Sequence, residues 1–273
     1  GSARKEIIVS LSVNTNNGAM LALRNLNATN TALETTNLRI TTGLKVNGPK
    51  DDASTYAIAQ NMRGEIAGMR AVKTALANGA AVVNVAIEGG KSIADLLVEL
   101  KAKTVQANQA GLDAASRTAL TNDFFALRDQ IDTTVATAEF NGINLLKNGA
   151  SGTTVLSTVD GSTIAVSAQN MSAIFLQFGQ PYADLSSSSN ASQTLSLIES
   201  ATISVSDSLA ALGSVARRIE VQSEFTAKLT DIQRAGVGNL VDADLAEESA
   251  NLQAQQIKQQ LGVQALSIAN SGP

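Results

Sequence analysis

The chain has 273 residues, 44% of them apolar but only 3% aromatic, with a net charge of −4. It has no His and no Cys, which removes thiol nucleophiles, His bases, Cys–His zinc sites and disulfides. Alanine carries much of the apolar count, which suits long close-packed helices, and the lack of a basic block argues against a nucleic-acid partner.

Gly1-Ser2 reads as a tag scar, and residues 1–9 as an extension. No apolar run reaches the roughly 20 residues of a membrane span, and no secretory signal is visible behind Arg4-Lys5. Residues 14–41 read as the first helix, with Asn14, Thr15, Asn16 and Asn17 as candidate caps. Ala19, Leu23, Leu26, Asn30, Leu33, Asn37 and Ile40 step by three and four, a heptad seam that carries two Asn. Gly43, Gly48 and Pro49 then break the helix and make a hinge. Asp51 and Asp52 form a possible carboxylate pair, but acids at a helix start need no catalytic role.

Residues 53–107 lack Pro and read as one long helix. Its apolar positions include Met62, Met69, Leu76, Val83, Ile87 and Leu97, and unbroken it would span roughly 80 Å. Gly89-Gly90-Lys91-Ser92 resembles the end of a phosphate loop, but Val85 stands where that loop needs Gly and no strand precedes it. Gly90 is better read as allowing close helix approach.

A further helix is predicted over 114–138, with Leu120, Phe124, Leu127, Ile131 and Val135 on one face. Asn141-Gly142 turns the chain. Residues 153–168 switch to a period of two around Asp160-Gly161, a hairpin signal. A two-residue turn there would place Val155 opposite Val166 and Ser157 opposite Ile164. From Gln169 to Ser192 the pattern is lost, Ser186–Ser189 reads as loop, and the segment is expected to be surface-exposed.

Leu195, Ile198, Thr202, Val205, Leu209, Leu212, Ala216 and Ile219 then form the cleanest heptad. That helix is predicted to end near Ala235, with Gly236 and Gly238 as a second hinge. The last helix, 239–270, carries a thin seam: Leu245, Leu252, Ile257, Leu261 and Ile268. Asp242, Asp244, Glu247 and Glu248 lack the loop that calcium needs, and they read as helix N-terminal acids with Asp244 and Glu247 at capping spacing. Asn-x-Ser/Thr at Asn27, Asn170 and Asn190 carries no weight here.

The chain is thus mainly α. The expected fold is an elongated antiparallel helical bundle, a coiled-coil rod with a small β-hairpin tip and paired terminal helices. Terminal helices so poor in large apolar residues are expected to be marginal alone and to be buried by other subunits, in an open helical assembly.

At this point the residues resemble bacterial flagellin. Asn14-Thr-Asn16, Leu26-Asn27, Ala32-Leu33, Arg39-Ile40, Gly43-Leu-Lys-Val-Asn47, Lys50-Asp-Asp-Ala53 and Ala57-Ile-Ala59 look like its N-terminal signature. Phe140-Asn-Gly142 resembles its entry into the β region. Val241-Asp-Ala-Asp-Leu-Ala246, Glu248-Ser249, Gln259-Gln-Leu-Gly262, Ala265-Leu266 and Ile268-Ala-Asn270 look like the C-terminal signature. The short middle is similar to the compact flagellins of alphaproteobacteria.

The resemblance implies a filament subunit, extracellular and without enzymatic activity or cofactor, exported by a type III route with no cleavable signal. Residues 10–41 and 237–273 would form a terminal-helix domain. Residues 42–52 would be a spoke, 53–148 and 193–236 a rod domain, and 149–192 a short central segment. Leu23, Leu26, Leu33 and Ile40 with the α-helical seam of 245–268 would be the assembly seam. Phe124, Ile131, Leu195, Leu209, Leu212 and Ile219 would join the residues of 62–97 in the rod core.

Its partners would be other copies of itself, an export chaperone, and hook-associated and cap proteins, with no membrane insertion. The runner-up is a hook–filament junction protein. Family members usually continue past Ser271-Gly-Pro273, so a truncated end is expected. Lys101-Ala-Lys-Thr-Val105 departs from the Arg-Glu-Leu-Ala-Val type patch sensed by the vertebrate Toll-like receptor, which implies weak or absent activation.

Overall fold

A computed structural model describes residues 16–179 and 183–271, and only the backbone of Phe175. The candidate caps Asn14 and Thr15 and the extension 1–9 lie outside the described residues. Helices α1 (Asn17–Thr42), α2 (Ala53–Ala107) and α3 (Ala114–Thr137) are followed by strands β1 (Glu139–Phe140), β2 (Ile143–Asn144), β3 (Thr153–Leu156) and β4 (Thr163–Val166). Helices α4 (Ser172–Gln177), α5 (Ser188–Val241) and α6 (Leu245–Ser271) complete the chain. Two compact units result: residues up to Gly64 with those from Gln233 onward, and Glu65–Ile232. Both boundaries fall inside helices, later in α2 and earlier in α5 than a break at the two hinges would place them.

In the second unit, buried apolar positions of α2 recur at three, four and seven: Val72, Leu76, Val83, Ala86, Ile93, Leu97, Leu100 and Ala107. They meet Leu120, Phe124, Ile131 and Val135 of α3 and Ile198, Val205, Leu212 and Ile219 of α5 in one cluster. Of the residues expected in the rod core, Met69, Leu76, Val83, Leu97, Phe124, Ile131, Leu212 and Ile219 are buried, and Met62, Ile87, Leu195 and Leu209 half-buried. Met62 belongs to the first unit. Gly90 is buried, and a Cβ there would come 2.8 Å from Leu209 Cδ2, so the missing side chain does let α5 approach.

The helix ends have local causes. Asp52 Oδ1 accepts from the Ser54 and Thr55 amides and starts α2, while Asp51 accepts from the Asn47 and Gly48 amides and closes the preceding turn. Hydrogen bonds from the Thr55 hydroxyl and amide hold the Asp52 carboxyl below its usual pKa. Asp113 starts α3 in the same way, accepting from the Ser116 amide. At the end of α2, Arg117 Nη1 donates to the carbonyl of Ala107, a terminal acceptor that the helix itself cannot satisfy.

Three expectations are corrected here. First, the segment after the hairpin is not an exposed loop. Met171, Ile174, Phe178 and Leu185 are buried, and Phe178 meets Phe124 edge-on at 5.9 Å. Their irregular spacing reflects a backbone that alternates between loop and the short α4, which defeats a period search.

Second, the β3–β4 register pairs Thr153 with Val166 and Val155 with Ile164. That is two residues off a two-residue Asp-Gly turn. Ser157 N donates to Ser162 O and Gly161 N to Thr158 O, giving a four-residue loop. A two-residue type I′ turn needs positive φ at both central positions; only Gly161 has it, at 90°. Asn141 and Gly142, at 51° and 80°, do supply such a turn between β1 and β2. The β3–β4 hairpin lies along α2: a Cβ on Gly79 would collide with Val155, and one on Gly68 would come 2.8 Å from Val159.

Third, Gly236 and Gly238 do not end α5, which runs through both to Val241. A Cβ on Gly236 would come 3.0 Å from Met62 Cε, so that glycine serves close packing. Two glycines cost a helix only about 1 kcal/mol each. The break comes at Asp242–Asp244, where Asp244 Oδ1 accepts from the Ala246 and Glu247 amides and caps α6.

Contrary to the sequence reading, an 18-residue window of α5 reaches a mean hydropathy of 1.2, long and apolar enough to cross a membrane by that measure. Its buried apolar residues step in heptads and belong to the core cluster.

Phe178→Ala should cost the second unit about 3–5 kcal/mol, read from urea unfolding. A loss below about 1 kcal/mol, the size of a surface change, would return the middle segment to the surface.

Candidate assembly surface

In the first unit α1 and α6 run antiparallel, and polar contacts mark their register. Asn16 Nδ2 donates to the Ala269 carbonyl at 2.7 Å, and its Oδ1 accepts from the Ala19 amide to cap α1. Gln259 Nε2 donates to Asn30 Oδ1 at 2.8 Å. Arg39 Nη1 meets Glu248 Oε1 at 2.9 Å. At the base, Gly43 ends α1 at φ 71°, Leu44 bridges to Asp242, Lys45 N donates to Val241 O and Ala243 N to Gly43 O. The hinge at Gly43–Pro49 is thus bonded to the break before α6.

On α6, the residues that are not fully exposed are Glu248, Leu252, Gln255, Gln259, Gly262, Leu266 and Ala269. They step by 4, 3, 4, 3, 4 and 3, one heptad seam. Of the expected seam only Leu252 falls on it. Leu245, Ile257, Leu261 and Ile268 are exposed, Ile268 by 73%. At 100° per residue, Ile257, Leu261 and Ile268 lie within 40° of one another, on the side opposite the seam. Ala246, Ala250 and Ala254 continue that outward stripe.

On α1, Leu26, Leu33 and Ile40 are half-buried and Thr36 is buried. Leu23 was expected in the seam but is 48% exposed, and Met20, Leu21 and Leu38 are exposed with it.

The cause is local. Gly262 admits Leu26, whose Cδ1 would stand 3.2 Å from a Cβ there. Asn30 needs a polar partner, and Gln259 supplies it; Arg39 needs a carboxylate, and Glu248 supplies it. Small and polar side chains therefore meet α1 beside Leu252 and Leu266, while Ile257, Leu261 and Ile268 point away. Counting apolar residues along α6 could not find this, because the face is chosen by partners on another helix. The pair Arg39 and Glu248 was visible in the sequence only as two charges 209 residues apart.

Among the described residues no group of three or more carboxylates could hold a metal ion. A groove between α2 and α5 in the second unit, about 540 Å³, is lined by small and apolar residues together with Asn84, Arg217, Glu220, Ser223 and Glu224.

Asn16→Ala should lose about 1 kcal/mol of cap and release the Ala269 end of α6. Faster amide exchange in both helix ends would show it, and unchanged exchange beyond the first turn of α1 would deny the tie between them.

The bacterial flagellin N-terminal helical region matches residues 13–151, and the bacterial flagellin C-terminal helical region matches residues 195–273. The interval between them holds the hairpin and α4. The chain is similar to flagellin FljK of Caulobacter vibrioides, 43% identical over 260 residues that cover 95% of this chain and 94% of that protein. It is also similar to flagellin C of Rhizobium meliloti, 32% identical over 311 residues, covering 95% and 96%. In fold it resembles Bacillus cereus flagellin, with a TM-score of 0.50 at 19% identity over 55% of this chain and 86% of that one. A Vibrio parahaemolyticus structure described as a flagellar hook-associated protein gives 0.58 at 14% identity, over 70% and 100%. Matched at both ends and similar to Caulobacter flagellins along nearly its whole length, the chain belongs to the bacterial flagellin family, as a short flagellin of alphaproteobacterial type and a structural subunit of the flagellar filament.

Proposed function

We propose that polymerisation runs through the outward face of α6, with Ile257, Leu261 and Ile268 buried against neighbouring copies, and that Leu23 and its exposed neighbours on α1 join the contact. The observation that carries this is the exposure of those side chains beside a seam of Glu, Gln and Gly. Burying each large apolar side chain is worth about 1.5–3 kcal/mol. Several such side chains per copy would favour a filament while leaving the single chain soluble.

On this reading the α1–α6 pair is the terminal-helix domain and the residues around Gly43–Pro49 its spoke. The Glu65–Ile232 unit is the rod. An export chaperone would cover α6 before assembly, hook-associated and cap proteins would bound the filament, and the chain would leave the cell without a cleavable signal. The hook–filament junction alternative draws only on a likeness of fold to the hook-associated structure.

Ile257→Asp with Leu261→Asp should leave the α-helical circular dichroism of the single chain intact and abolish growth from filament seeds. Growth at the parent rate would refute the docking face. If the parent chain caps seeds without extending them, the junction reading replaces the subunit.

Lys101 pairs with Glu199 and Lys103 with Asp123, at 3.2 and 2.6 Å, which occupies the stretch that the receptor-sensed patch would need. Reporter cells carrying the Toll-like receptor should respond weakly or not at all; a response equal to that of an enterobacterial flagellin would contradict it.

A further inference from the structure

Helix α5 carries a second apolar face. Leu212, Ile219 and Thr226 turn inward and are buried, while Val221, Phe225 and Ile232 stand 55%, 58% and 68% exposed. At 100° per residue those three lie within about 40° of one another, on the side of α5 away from the core. None of them belongs to the core cluster of the second unit. Three large apolar side chains in line on an exposed helix face mark a surface that meets another molecule.

Beside this stripe lies its counterpart. The groove between α2 and α5, about 540 Å³, is walled by Ala77, Ala80, Gly213 and Ala216, with Glu220 and Glu224 along it. A Cβ on Gly213 would meet nothing within 4 Å, so the groove is open at that point. The single chain therefore shows projecting apolar side chains on one side of α5 and an unfilled trough of small residues on another.

We propose that Phe225, with Val221 and Ile232 beside it, docks into the α2–α5 groove of a second copy of this chain. Charge agrees with that occupant. Lys228 lies in the stripe, three residues after Phe225, and the groove it would meet carries Glu220 and Glu224. Among the described residues neither Lys228 nor Glu224 has an ion-pair partner, and Glu220 has only the exposed Arg217 at 3.6 Å. Direction agrees as well. Gly213 and Glu220 lie roughly 100–120° around α5 from the middle of the stripe. One copy can thus present its stripe to one neighbour while its groove receives the stripe of another. Such a contact is heterologous and need not close on itself, as an extending filament requires. It lies wholly within the second unit and does not depend on the docking of α6.

Phe225→Ser removes the projecting ring and Gly213→Leu fills the trough. Both positions are exposed, so the helical circular dichroism and the urea midpoint should match those of the parent. Growth from filament seeds should fall at least about tenfold in each variant, because the burial of one large apolar side chain exceeds what a tenfold change needs. p-Benzoylphenylalanine at position 225 keeps an aromatic ring there and bonds, on irradiation, to what it touches. On seeds it should join a second copy, within residues 76–84 or 213–224 of that copy, and the unassembled chain should give no dimer.

A bond to residues 221–232 of the second copy would mean a closed stripe-to-stripe pair and overturns the inference. Absence of any intermolecular bond, whether the copies fail to associate or associate elsewhere, overturns it too. Gly213→Leu growing at the parent rate refutes the groove as the receiver, and Phe225→Ser growing at that rate refutes the stripe. The expected bond, found while Ile257→Asp with Leu261→Asp grows undiminished, upholds this contact and refutes only the docking of α6.

Discussion

The structure depends on an unequal division of α6, whose largely polar heptad meets α1 and whose apolar stripe faces solvent. The inward heptad gives α1 a glycine, two glutamines and a glutamate beside two leucines. These side chains make specific polar contacts with Asn30 and Arg39 and bury little apolar surface. The stripe from Ala246 to Ile268 stays in water. A helix with both faces apolar would bury one within the chain and risk promiscuous association with the other. On the proposed docking, one polar face for the chain itself and one apolar face for its neighbours would separate folding from assembly.

The second unit follows a different rule. Its α2, α3 and α5 meet through Leu, Ile, Val and Phe at heptad positions, and Phe124, Phe178 and Leu185 close the cluster where the helices give way to loops. Glycines along α2 leave notches for the β3–β4 hairpin, and Gln222 Nε2 donates to the Ser157 carbonyl, which ties the same hairpin to α5. The core of this unit is built from its own residues. The first unit owes more to hydrogen bonds, whose net worth is modest, about 0.5–1.5 kcal/mol each, and so it is the part that association stabilises most.

Much of the fold was legible in residue order. The start of α2 is set by Asp52, and the heptad of α5 predicted its buried residues at Ile198, Val205, Leu212 and Ile219. What was not legible lies wherever a partner distant in sequence decides. Leu245, Ile257, Leu261 and Ile268 look like a seam by composition, yet the contacts with Arg39 and Asn30 are made by Glu248 and Gln259 on a different face. Gly236 looks like a helix end until Met62 is placed beside it. The two Asp/Asn-Gly turns look alike, but only Asn141 adopts positive φ, so only that turn has the two-residue form. Met171, Ile174 and Phe178 have no period to read because their backbone has none.

The central claim is that the outward stripe of α6 is open in the single chain and closed in the filament, while the inward heptad is closed in both. Thiol labelling of single cysteines tests it directly, since the native chain has none. Ile257→Cys, Leu261→Cys and Ile268→Cys should label rapidly in the monomer and at least about tenfold more slowly after polymerisation, as local protection requires, while Leu266→Cys should label slowly in both states. Equal labelling of the three outward positions in monomer and filament, or rapid monomer labelling at 266 with protection at 261, would contradict the account.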